Sequence, residues 1–219
     1  MINIAVRNSS ALQYKFNLSF LAVILNCCIA FVDAEDIADK VEADELGPCI
    51  VCAVYNEVGS VEADGKIRQL KLLEIVLPNQ KIFTYKKSGV ALKFPDNVVV
   101  VIGANSSFSF TPKTRKVNIE GTIKLDVSLE SSPVQVNTQL ASAIIQKGSG
   151  MIVKCRADVP FKAAVLNGKA NIFLKPKHSI QMESNEVLAI IPNENGVPKA
   201  KPLSKDELNL LEFDLSFLP

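Results

Sequence analysis

The chain has no tryptophan, one histidine and three tyrosines. Each scarcity removes a class of chemistry. One histidine, His178, cannot supply the paired imidazoles of common zinc sites, and its surroundings, Lys175-Pro176-Lys177-His178-Ser179, read as an exposed turn rather than a general base. Excess charge of one sign is also missing. Lys and Arg number 24 against 23 Asp and Glu, a formal net charge of +1, so there is no basic field to displace counterions from a nucleic acid. No glycine-rich phosphate loop and no dinucleotide fingerprint occurs. Gly148-Ser149-Gly150 sets a serine between glycines, but it lacks the strand-to-helix context of a nucleophile elbow. These absences point to a protein that is not an enzyme, with no cofactor and no metal.

The one long apolar run lies near the start. Arg7 and Lys15 precede Phe16 to Val32, and Val32-Asp33-Ala34 offers small residues to a signal peptidase. Residues 1–34 are predicted to be a secretory signal peptide cleaved after Ala34. The run is short for a spanning helix, which needs roughly 17–25 residues. No stable membrane span is therefore expected after cleavage, and the predicted address is the periplasm, the cell envelope or the exterior. The alternative is retention in the inner membrane, anchored by Phe16 to Val32. Lipidation at Cys27 or Cys28 is disfavoured, because Asn26 and Cys27 occupy the preceding position where a small residue is needed. Setting aside Arg7, Lys15 and Asp33 leaves 22 basic and 22 acidic residues.

Of five cysteines, Cys49, Cys52 and Cys155 follow the leader. Cys155 shares a strand face with Met151 and Val153, and Cys52 with Ile50 and Val54, so a Cys52–Cys155 disulfide is the better-placed pairing in an oxidising compartment. Three buried thiols are the alternative. Cys49-Ile50-Val51-Cys52 has redox spacing but reads as strand, without the helix N-terminus that activates such a motif.

Residues 35–48 form an acidic arm or short helix, with Ile37 and Val41 at helical spacing. From Cys49 to Ile191 the period falls to two. Val90, Leu92 and Phe94 precede the turn Pro95-Asp96-Asn97. Val98 to Ile102 is apolar and ends at Gly103-Ala104-Asn105, and Ile123, Leu125, Val127 and Leu129 alternate with polar residues. Ala63-Asp64-Gly65-Lys66 and Asn167-Gly168 carry hairpin chemistry. Lys66 to Leu77 fits a strand or a helical face (Ile67, Leu70, Leu73, Leu77). Residues 192–219 combine a proline-rich linker with a capping box, Ser204 to Glu207, a short helix, and a tail in which Phe213, Leu215 and Phe217 alternate with polar residues. The fold is predicted to be mainly β with short terminal helices.

The order of these elements resembles the FecR-type domain, an extracytoplasmic β-module of envelope sensors and exported bacterial proteins. The likeness covers roughly Val54 to Ile191. It is carried by Val58-Gly59-Ser60-Val61, by Ile82-Phe83-Thr84 with Val90 to Asn97, by Gly103 to Ser107 and Gly121-Thr122-Ile123, and by Val134 to Thr138, Gly148-Ser149, Val165 to Ala170 and Asn185-Glu186. It implies a rolled, solenoid-like β-domain over residues 49–191. A β-sandwich fits the same periodicity. The sigma-regulating members carry a tryptophan-containing cytoplasmic region that has no counterpart here. The resemblance therefore implies a non-enzymatic envelope binding or scaffold protein, partnered by an envelope protein or polysaccharide. A membrane-tethered sensor ectodomain is the runner-up. An envelope hydrolase is the third reading, and would need carboxylates such as Glu120 and Asp126 to converge. Lysines 113, 116, 124, 162, 169, 175 and 177 could line a patch for anionic polymers, or simply guard strand edges.

Overall fold

A computed structural model describes residues 45–62, 65–156, 159–174, 178–190 and 198–216. The leader with its site after Ala34, most of the acidic arm, and Phe217 lie outside the described residues. Among those described, no helix is long and apolar enough to cross a membrane.

The protein is mainly β. Among the described residues, seventeen strands hydrogen-bond into one sheet that doubles over on itself as two layers. One layer holds, in spatial order, β4 (Ile75–Val76), β1 (Cys49–Tyr55), β6 (Gly89–Lys93), β7 (Val99–Ile102), β9 (Lys116–Val127), β12 (Ser149–Arg156), β13 (Val159–Asn167), β16 (Glu186–Ile190) and β17 (Lys201–Pro202). The other runs β3 (Ile67–Gln69), β2 (Val58–Val61), β5 (Lys81–Thr84), β8 (Ser107–Thr111), β9 again, β10 (Val134–Asn137), β11 (Ala141–Ile145), β14 (Lys169–Leu174) and β15 (His178–Glu183). Beyond β9 the chain advances in hairpins that alternate between layers: β10–β11, then β12–β13, β14–β15 and β16–β17. The path is rolled, and the product is two-layered.

The long strand β9 belongs to both layers. Its first half pairs with β8 and β10, and its second with β7 and β12. The crease falls at Gly121, whose φ of +118° suits glycine, and where a Cβ would lie 2.2 Å from Ser106 Oγ. Buried hydroxyls secure it. Thr84 Oγ1 donates to the Gly103 carbonyl at 2.5 Å, and Ser106 Oγ accepts from the Thr122 amide at 3.0 Å. Strand alternation supplies the core between the layers. Phe108, Phe110, Val117, Val134, Val136 and Ile172 point in from one layer, and Val90, Leu92, Val100, Ile123, Leu125, Met151 and Val165 from the other. Each such side chain stabilises by about 1.5–3 kcal/mol relative to an exposed one. Phe94 and Phe110 meet edge to face at 4.9 Å.

A smaller cluster forms on the outside of the first layer. Ile152, Ala164 and Val187 face away from the main core and are covered by Leu211 of α1 (Lys205–Glu212) and by Leu203, Leu208 and Leu215. The predicted capping box is present, with both Ser204 and Glu207 hydrogen bonds made. Lys201 and the Ser204 bonds hold the Glu207 carboxyl down to about 2. The tail docks as a 3-10 turn over Phe213–Leu215. There Asp214 takes Lys154 Nζ at 2.8 Å, Arg156 at 3.2 Å and the Thr122 hydroxyl at 3.0 Å. Burial pushes the Asp214 carboxyl up, but those partners win and its pKa is lowered.

The structure decides one open reading and changes three expectations. Residues 66–77 are not helical: β3 and β4 lie in different layers, and the connection between them carries the tight turn Lys71 to Glu74. Asn167-Gly168 does not close a hairpin. β13 pairs with β12 and β16 while β14 pairs with β11 and β15, so the dipeptide turns the chain from one layer into the other, with Gly168 at φ +76°. In β1 it is Cys49 and Val51 that enter the core, whereas Cys52 is half-buried on the other side, where a bulge between Val51 and Ala53 shifts the register. Finally, the Cys52–Cys155 pairing is out of reach. Within their layer β6, β7 and β9 separate β1 from β12, each step being roughly 4.8 Å. A disulfide needs Cα atoms within about 7 Å. Cys155 is a buried free thiol beside Gly121.

Candidate functional site

Among the described residues, a groove of about 380 Å³ opens on the second layer around β8, β9 and β10. Alternation puts it there. Phe108, Phe110, Val117, Ile119, Val134 and Val136 take the inward positions of β8, β9 and β10, leaving Ser107, Ser109, Asn118, Glu120, Gln135 and Asn137 outward. Register then aligns them: Ser107 opposite Glu120, Ser109 opposite Asn118, and Asn118 opposite Asn137. The β10–β11 turn closes one end with Thr138 and Gln139, and Arg156 at the end of β12 borders the other.

Asn118 and Asn137 line the groove, and Gln135, just outside it, joins them. Gln135 Nε2 donates to Asn137 Oδ1 at 2.8 Å, and Asn137 Nδ2 donates to Asn118 Oδ1 at 3.3 Å. This relay fixes the amide rotamers before anything binds. Arg156 is fixed too, donating to the Ala104 carbonyl at 2.7 Å while paired with Asp214. The groove thus sets hydroxyls and amides from neighbouring strands beside the charged side chains of Lys81, Glu120 and Arg156.

The residues singled out in the sequence do not assemble into a reaction centre. Glu120 lies in the groove, but Asp126 is six residues further along β9, past the crease and on the outer face of the other layer. Roughly 3.3 Å per residue separates them well beyond the about 5–9.5 Å of a glycosidase pair. Asp126 is instead packed against Gly150, and burial raises its pKa despite Lys124 nearby. Ser149 is buried, its hydroxyl accepting the Lys169 amide at 2.8 Å, which makes it a corner brace. His178 stands exposed at the start of β15, away from the groove. Burial drives the Cys49 thiol far up, which makes it a poor nucleophile. Among the described residues no three His, Cys, Asp or Glu side chains converge to hold a metal ion.

The lysines do not form one patch. Lys116 and Lys169 lie on the second layer and Lys124 and Lys162 on the first, with Lys169 paired to Glu183 at 3.0 Å. Lys175 and Lys177 lie outside the described residues. Two features were not anticipated. Arg115, nearly buried, clasps Asp96 at 2.5 Å, Ser131 at 2.8 Å and the Ser132 carbonyl at 2.9 Å, tying two loops together at one end of the layers. The amide groove was legible only as small polar residues alternating with large apolar ones. Nothing local in the sequence says that β8, β9 and β10 lie side by side.

No family model matches the chain, and no curated protein matches it. Among solved structures, two crystal structures of a candidate anti-sigma factor from Parabacteroides distasonis are similar, each with a TM-score of 0.51 and 23% identity. The alignment covers 59% of this chain and 62% of that one, so the chain spans less than two thirds of the length of the protein it matches. What the two share is the β-fold.

Proposed function

We propose that this chain is an exported, non-enzymatic β-module of the cell envelope, of FecR type, that binds an envelope component through the groove formed by β8, β9 and β10. The observation that carries this reading is the groove itself, a recess in which Asn118 and Asn137 of neighbouring strands are held in one hydrogen-bonded relay. The leader-like sequence before Glu35 supports the address. The test is fractionation with intact-mass measurement. Protein beginning near Glu35 should be found in the envelope fraction, and N118A/N137A protein should be released from it. Protein that stays in the cytoplasm, or a double variant retained like the parent, would overturn the proposal.

A second reading is a sensor ectodomain tethered by Phe16 to Val32. It is favoured by one specific observation, the likeness in fold to a candidate anti-sigma factor. The same mass measurement separates the two. A chain that still contains Met1 to Ala34 and sediments with membranes supports the tethered form.

A further inference from the structure

Register extends the groove along the outer face of the second layer. Ser109 stands opposite Asn118, Asn118 opposite Asn137, Asn137 opposite Ser142, Ser142 opposite Phe173, and Phe173 opposite Ser179. One row therefore crosses six strands, with steps of about 4.8 Å. It contains hydroxyls and amides, no charged side chain, and one aromatic ring. Phe173 is 38% exposed, whereas Phe108 and Phe110 of the same layer are buried and Phe83 of β5 is half-buried with Tyr85 against its ring.

From this row we infer that the groove and its extension bind an extended neutral oligosaccharide, lying across the strands from Ser109 toward Phe173. The inference rests on the binding role proposed above and names its ligand class. Three features argue for sugar. Side-chain amides present a donor and an acceptor side by side, which matches vicinal hydroxyls, and the relay from Gln135 through Asn137 to Asn118 holds them ready. The strand spacing is close to the repeat of a pyranose chain, so successive sugar units meet successive strands. The Phe173 ring offers a flat apolar surface for the C–H face of one sugar unit.

The experiment uses protein isolated from the envelope, probed by calorimetry and on an array of neutral α- and β-linked tetrasaccharides. At least one tetrasaccharide should bind, and more tightly than its disaccharide. N118A/N137A and F173A should each weaken binding roughly three- to tenfold, the loss expected for one or two hydrogen bonds or one ring contact. All three side chains lie on the surface, so melting curves should match the parent and exclude misfolding. If no neutral tetrasaccharide binds while N118A/N137A still releases the protein from the envelope, the inference fails and the groove takes a protein. Sugar binding unchanged in all the variants would likewise overturn it. If release from the envelope also ignores the groove, the broader proposal falls as well.

Discussion

Single residues here show where packing has overridden local preference. Asp126 is the clearest case. It sits against Gly150 with its carboxyl desolvated, and its pKa is raised above the ordinary value. A raised carboxyl pKa means that the folded state prefers the proton, so Asp126 opposes folding above its unfolded pKa and ceases to do so in acid. Asp126→Asn should therefore stabilise the protein at neutral pH, and the gain should vanish as pH falls below about 4. Urea melts of both proteins at pH 7 and pH 3.5 would show it. Leu73 is a second case. It occupies a left-handed position, φ +63°, at the tip of the Lys71–Glu74 turn and is 69% exposed. A branched apolar side chain gains nothing there. Leu73→Asn should stabilise by about 1 kcal/mol, read as a higher denaturation midpoint with an unchanged slope.

At the scale of elements, turn chemistry proved reliable for where the chain bends and silent on where it goes next. Gly168 has the positive φ that its dipeptide predicts, yet it is a corner between layers. Ser149 packs so closely that a Cβ on residue 168 would lie 2.1 Å from its hydroxyl oxygen. Gly168→Val should cost roughly 2–3 kcal/mol, combining backbone strain with loss of the hydrogen bond that Ser149 accepts from the Lys169 amide. A thermal melt that superimposes on the parent would refute it. The alternation of Phe108 and Phe110 with serines, or of Ile123 and Leu125 with Lys124 and Asp126, was fully legible because burial on one face has a strict period of two. The pairing of strands was not legible. Register between β9 and β10, or β11 and β14, depends on contacts distant in sequence, and the same alternation suits any neighbour. For that reason Cys52 and Cys155, both on apolar-looking strands, could be set together on paper although three strands divide them. Residues 66–77 were ambiguous for a related reason: Leu70 enters the core while Leu72, Leu73 and Leu77 stand exposed around a turn and a layer edge, and no single period fits them.

For the whole molecule, the decisive feature is that β9 is a member of both layers. Two stacked sheets joined only by loops could open one at a time, each losing its own contacts. Here neither can. Peeling β8 or β10 away exposes Val117 and Ile119, while peeling β7 or β12 exposes Ile123 and Leu125, all on a single strand creased at one glycine. The consequence is kinetic as well as energetic. Amide protons of β9 on either side of Gly121 should exchange with deuterium only when the entire protein opens, at one common rate, while those of the edge strands β3 and β15 exchange through local fraying. Mass-resolved exchange would read this as a single cooperative unit. Two separable protection levels along β9 would instead mean that the crease at Gly121 works as a joint.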